Sequence, residues 1–239
     1  MIPAHAKGIS LRFKIRASAA SQIMANGRSK DSMGATAQNY CLNWILEQPE
    51  FFNRKVNEFS SKQIRKGNAV ERDALDFIGR MEYDGEFLEP NTDHFSNNFM
   101  TGTPDVIMDD HDIDNKSSWS VNSFPIFDQS PDIAYLWQGQ VYMHLTERKR
   151  HRVIHTLMNT PENLIQSEAY KVARELGYAE PSEELLFQTR ERMTYDNIPD
   201  ARRIKIFEFG YDAAQIKALE QRVEDCRDFI LNTLLKYDL

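Results

Sequence analysis

Three side chains near the middle of the chain have the types and spacing of a hydrolytic metal site. Asp105 lies nine residues ahead of Asp114, and Lys116 follows two residues later. Residues 99–108 and 113–119 read as the two strands of a hairpin, closed by the polar turn Asp109-Asp110-His111-Asp112. Side chains alternate faces along a strand, so Asp114 and Lys116 point one way and Asn115 the other. Crossing the turn brings Asp105 beside Asp114. Two carboxylates hold a hard cation such as Mg²⁺ through oxygen. An ammonium beside them sits where an attacking water and a developing phosphate charge would lie. The acidic turn offers other carboxylates at Asp109, Asp110 and Asp112, so the register of the ligands stays open.

The flanking elements must position this hairpin. Ahead of it, the run from Lys66 to Tyr83 reads as a helix, with Val70, Ala74, Phe77, Ile78 and Met81 on its apolar face. Glu71 sits in the first turn beside that stripe. Its carboxylate either reaches inward over the sheet or serves the positive helix N-terminus. Behind the hairpin, a helix spans about 133–147, where Gln138 and Tyr142, four apart, share a face and Gln140 lies on another. Gln138 could orient a metal-bound phosphate or water.

Further out, the pattern gives a short helix over 18–26, begun by Ser18, and a longer one from Met33 to Gln48. A helix is also expected from Phe51 to Lys62, and a short strand around Phe87. Residues 152–158 read as a buried strand. Thr160-Pro161-Glu162 starts a helical stretch to 195, broken at Gly177 to Pro181. Residues 202–209 alternate as a strand, and an amphipathic helix runs from Asp212 to Lys236. Helix, three strands, helix, strand is a mixed α/β sandwich, with helices packed on a central sheet.

The chain has 239 residues, 41% of them hydrophobic and 27% charged, in the range of a globular domain. With no repeat, linker or low-complexity tract, one domain is expected, with a core at about 64–160. A helical segment at 15–63 precedes it, and helices and a strand at 161–239 follow. No apolar run approaches a membrane span and no signal-peptide core is present, so a cytoplasmic location is expected. Cys41 and Cys226 cannot build a zinc or iron–sulfur site unaided and read as buried thiols. The net charge of −7 argues against an indiscriminate nucleic-acid coat, though not against a local basic channel. Basic clusters at Arg12/Lys14/Arg16, Arg28/Lys30, Lys62/Arg65/Lys66 and Arg148/Lys149/Arg150/Arg152 are as well explained by solvated loops and helix ends. His151 and His155 share a strand face without a third ligand and read as packing or surface residues. Trp44, Trp119 and Trp137 read as core, with Trp119 also placed to contact a strand end.

The order of these features, Gly67…Glu71, Gly102-Thr103-Pro104-Asp105, Asp114-x-Lys116-Ser117-Ser118-Trp119 and Tyr135-x-x-Gln138-x-Gln140-x-Tyr142-Met143, resembles the PD-(D/E)XK nucleases. More narrowly, it resembles the phage exonucleases of the YqaJ and lambda-exonuclease type. The resemblance covers about residues 15–160. It implies a restriction-endonuclease-like αβββαβ core with extra N- and C-terminal helices. It implies a Mg²⁺-dependent DNA exonuclease of phage-type recombination, leaving 5′-phosphates, with Mn²⁺ able to substitute and two ions bound. Asp105, Asp114 and the backbone carbonyl of Asn115 would be metal ligands, with Glu71 near the second ion. Lys116 would position or activate the water, and Gln138 would support the site. Ser117, Ser118, Trp119 and Tyr142 would meet the substrate. Duplex DNA ends, a single-strand annealing protein and a homotrimer are the implied partners. An endonuclease and a catalytically silent binding module on the same fold are the alternatives. Asn115 departs from the family, which places an apolar residue there; either a polar partner lies behind the strand to bond its amide, or the strand is exposed there.

Overall fold

The computed structural model describes residues 4–27, 33–51 and 61–239. The helix expected at 51–62 falls almost wholly outside them, as does the Arg28/Lys30 cluster. The chain begins with α1 (Ala4–Leu11), β1 (Ile15–Arg16), α2 (Ala20–Met24) and α3 (Ala35–Glu47). The site-bearing region runs α4 (Lys62–Glu82), β2 (Phe95–Ser96), β3 (Met100–Gly102), β4 (Val106–Ile107), β5 (His111–Ser117), α5 (Ile133–Thr146) and β6 (Arg150–Thr156). It closes with α6 (Glu162–Glu175), α7 (Glu183–Met193), β7 (Ile204–Gly210) and α8 (Ala213–Lys236).

Helix α4 starts four residues earlier than the apolar stripe suggested, because Ser61 caps it by accepting from the Ile64 N–H at 3.2 Å. It stops where Asp84 and Gly85 turn left-handed (φ 50° and 84°) and the Gly85 N–H returns to the Gly79 carbonyl at 3.0 Å. The exiting chain crosses so close to Gly79 that a Cβ there would meet the Glu86 carbonyl oxygen at 2.2 Å. Only glycine fits.

The strands form two sheets rather than one. A four-stranded sheet has the order β4-β5-β6-β7, with β5 and β6 parallel and the outer pairs antiparallel. A small sheet, β1-β3-β2, collects strands of two or three residues. The expected single hairpin is therefore corrected. Its first arm divides between β3 and β4, and only Val106 and Ile107 pair with Ile113 and Asp112. His111 and Asp112 belong to β5, so the turn is shorter than the acidic run implied. The strand expected near Phe87 is absent, and that segment is loop with Phe87 exposed.

Period-2 alternation puts the two faces of β5 and β6 against different helices. Ile113 and Ile154 pack with Leu75 and Ile78 of α4, together with Leu88 and Val106. The opposite face, carrying Asp112, Asp114, Lys116, His151 and His155, lies under α5. Helix α5 approaches very closely there, since a Cβ at Gly139 would meet His151 Cδ2 at 2.4 Å and Phe209 Cζ at 2.6 Å. A second core joins the chain ends, with Phe13, Ile15, Ile23 and Cys41 packed with Leu219, Val223, Cys226 and Ile230 of α8. Both cysteines are buried and free. The Cys226 side chain beside it, and burial, push the Cys41 thiol well above its ordinary range.

Candidate active site

Asp105 leaves the loop just before β4 and turns back over the sheet, where its Oδ2 accepts from the Asn115 N–H at 2.7 Å. That bond fixes the first acid against the strand bearing the second. Asp114, only 2% exposed, accepts at Oδ1 from Gln138 Nε2 at 3.3 Å. Its Oδ2 is ion-paired with Lys116 Nζ at 2.5 Å and has no further hydrogen-bond partner among the described residues. Gln138 also donates to the Tyr142 hydroxyl at 2.8 Å. The i,i+4 pair on α5 is thus one small device holding Asp114 from behind.

The electrostatics follow from this crowding. Burial, then the charge of Asp114, pushes the Asp105 carboxyl up to about 7, against the pull of Lys116 and the Asn115 N–H. Glu71 adds to the rise as the smallest contributor. Burial works to lower Lys116, but Asp114 and then Asp105 outweigh it and hold the ammonium above its ordinary value. Lys116 is therefore a cation. It also lies 5.0 Å from the centre of the Tyr135 ring, a cation–π contact from the first turn of α5.

Glu71 itself stays exposed on α4. Among the described residues no three His, Cys, Asp or Glu side chains group as a ready metal cage. Two carboxylates still fit Mg²⁺, which is commonly held by one or two acids, its own waters and substrate phosphate oxygens. Asp105 and Asp114 are crowded together with Lys116 offsetting part of their charge, and a divalent cation would relieve that crowding.

The remaining expected residues take mixed positions. Asn115 faces away from Asp114, and its amide has the partners it needs. Thr156 Oγ1 donates to Asn115 Oδ1 at 3.1 Å, and Asn115 Nδ2 donates to Ser117 Oγ at 3.3 Å. Ser117 is occupied on that far face, also bonding the Thr156 hydroxyl at 3.2 Å. Ser118 is buried, with its hydroxyl turned to the Ser123 carbonyl at 3.5 Å. Tyr142 is 5% exposed and acts on the site through Gln138 rather than from an open surface. Trp119 differs from the expected core role, since it lines a groove shared by Lys116, Tyr135, His155, Gly67 and Asn68. Trp44 and Trp137 do pack on the core. Gln140 works elsewhere, accepting from the Asp212 N–H and donating to the Gly210 carbonyl, both at 2.8 Å, which locks α5 to the start of α8.

Sequence reasoning missed the buried floor. His151 Nδ1 bonds Asp112 Oδ1, and the Thr146 hydroxyl donates to Asp112 Oδ2 at 2.9 Å. The acid that read as turn is thus a buried partner beneath α5. His155 is buried between Tyr135 and Phe207, and burial followed by the Lys116 charge brings it down to about 4. It is neutral packing, as its lack of a third ligand suggested.

Solved structures share this architecture. A phage related exonuclease from Haemophilus somnus 129PT matches with a TM-score of 0.77 and 24% identity, over 94% of this chain and 96% of that one. The chain has the fold of these exonucleases. An alkaline exonuclease from Laribacter hongkongensis matches over 99% of this chain and 98% of its own, with a TM-score of 0.59 and 16% identity. Its complex with dAMP matches equally well, at 17% identity. The likeness agrees with the lambda-exonuclease resemblance carried by the four motifs. No family model and no curated protein matches the sequence. Among the described residues no helix is long and apolar enough to cross a membrane.

Proposed function

We propose that the chain is a metal-dependent deoxyribonuclease that hydrolyses linear duplex DNA from its ends, leaving 5′-phosphates, in phage-type recombination or DNA processing. The observation that carries this reading is the convergence of Asp105, Asp114 and cationic Lys116 on one sheet edge, with Gln138 fixing Asp114 from α5. The same constellation was expected from motif order, and two proteins of this fold are named as exonucleases.

Asp105, Asp114 and the Asn115 carbonyl would hold Mg²⁺, or Mn²⁺ in its place, with Glu71 on the side of a second ion. Bound there, divalent ions supply charge neutralisation for the attacking and leaving oxygens of phosphodiester hydrolysis. Lys116 donates hydrogen bonds to the attacking water or the phosphate and offsets the negative charge that builds in the transition state. Gln138 keeps Asp114 from rotating, and Tyr142 keeps Gln138 aimed. Duplex DNA is the substrate, and a homotrimer and a single-strand annealing partner belong to the same proposal.

The test is incubation of linear and covalently closed circular duplex with Mg²⁺. The linear form should disappear and the circle persist. Lys116→Ala and Asp114→Asn should both abolish digestion. Asp114→Asn should leave the Tm within a few degrees, because charge repulsion is removed along with the ion contact, whereas Lys116→Ala should lower it, because two buried carboxylates lose their cation. Cleavage of the circle would make the enzyme an endonuclease. No cleavage of either form by the wild type would refute the reading.

A further inference from the structure

Trp119, which lines the Lys116 groove, also lines a second cavity of about 480 Å³. That volume falls within the range of about 300–1,000 Å³ usual for small-molecule sites. It opens between the segment leaving β5 and the α6–α7 pair. Its walls include Trp119, Tyr195 and Val172, with Asn122, Asn197 and Arg192 among the polar residues. We propose that this cavity takes one unpaired nucleotide of the DNA strand lying in the Lys116 groove, with its base against Trp119. The inference rests on the nuclease reading for the identity of the strand.

Three observations carry it. The first is continuity. Trp119 lines both spaces, and an extended run of three residues from Lys116 to Trp119 spans roughly 10 Å, about three stacked nucleotide steps. The second is the chemistry of the lining. Aromatic faces accept any base, and side-chain amides offer both a donor and an acceptor to a base edge, so binding would tolerate sequence, as end-processing requires.

The third is charge. Lys66 is wholly buried behind the wall, where its ammonium donates to the Trp119 carbonyl at 3.1 Å and lies 5.2 Å from the centre of the Tyr195 ring. The Tyr195 hydroxyl donates to the same carbonyl at 3.5 Å. Burial pulls Lys66 down to about 8, with no carboxylate contributing. Arg192 at the rim donates to the Gln188 carbonyl (3.2 Å) and the Thr189 hydroxyl (3.3 Å). Glu168 is neutralised by Lys62 at 3.1 Å, and Lys62 also lies 4.7 Å from the centre of the Trp119 ring. Glu191 is the one wall carboxylate without such a partner among the described residues. Arg192 on the wall and Lys66 behind it outnumber the single unpaired acid Glu191, a modest bias toward a phosphate-bearing ligand. A buried ammonium is costly to keep, and this bias is a reason to keep it.

The test uses the full chain and duplexes carrying one 5-iododeoxyuridine at successive positions from an end, cross-linked by light with Ca²⁺ replacing Mg²⁺. Peptide mapping should find Trp119 joined to one of the terminal positions. Val172→Phe, which fills the cavity, and Arg192→Gln, at an exposed site where folding is not at stake, should each cut that yield. The loss for Val172→Phe should be about tenfold, the scale of one stacked base. Its KM for linear DNA should rise correspondingly, with kcat retained. Cross-links confined to other residues, or undiminished in both variants, would overturn the inference, even if the wild type digests DNA. Cross-links at Trp119 without digestion would keep the cavity as a nucleotide site and remove the nuclease reading instead.

Discussion

At the scale of single residues, the site is a problem of like charge held close. Asp105 and Asp114 share one edge with a single ammonium, so the folded protein keeps a proton on Asp105 to about pH 7, where a free aspartate loses it near 3.8. Between those values the folded chain binds more protons than the unfolded one. The contribution of Asp105 to stability is therefore full below about pH 4 and is lost as pH rises through about 7. In EDTA, Asp105→Asn should melt above the wild type at pH 8, and the difference should shrink toward pH 5. Mg²⁺ should raise the wild-type Tm and leave the variant nearly unchanged, because a ligand stabilises only the state that binds it. Calorimetry at the two pH values checks both points, and a variant less stable than wild type at pH 8 would contradict the account. These residues were legible in sequence because strand alternation and the helical i,i+4 step fix faces without further information. Glu71 was less legible. Because Ser61 starts α4 at Lys62, Glu71 stands well past the first turn instead of in it, and an acid beside an apolar stripe can lie on either side of it; here it stays exposed.

At the scale of elements, α5 matters most, because it carries Gln138 and presses Gly139 onto the sheet. Gly139→Ala would drive a methyl into His151 and Phe209. A cost of about 1–3 kcal/mol is expected from such overpacking. Digestion should slow as well, because the same shift lifts Gln138 from Asp114. Thermal melting and a digestion assay on one preparation check this, and an unchanged Tm would mean the contact relaxes freely. Long helices were readable because their apolar period persists over several turns, and α8 begins within one residue of its expected start at Asp212, whose side chain caps it. Strands of two or three residues have no period to read, so the split into two sheets was invisible. The Asp-rich turn misled for a different reason. His111 and Asp112 are held in β5 by Tyr83 (2.7 Å to His111) and His151, partners far away in sequence.

At the scale of the whole molecule, the net charge of −7 and the basic clusters were weak guides. Arg148, Arg150 and Arg152 looked like solvated cations, yet they tie the Met108 carbonyl, Asp110, Glu82, Tyr83 and Glu208 together along the sheet. Lys66 looked solvated and is buried. Burial of a charge depends on what the rest of the chain brings to it, which no local window contains. Strand β6 is bonded on both flanks across all seven of its residues, to β5 on one side and β7 on the other. Amides of residues 112–117 and 150–156 should then be the last to exchange with deuterated solvent, opening only with global unfolding, while α1 and the α6–α7 pair exchange through smaller fluctuations. Pulse labelling in mild denaturant would reveal that ranking. Asp114 and Lys116, both on β5, would keep their relative positions through every partial opening, whereas Asp105, in the loop before β4, could be displaced by a smaller one.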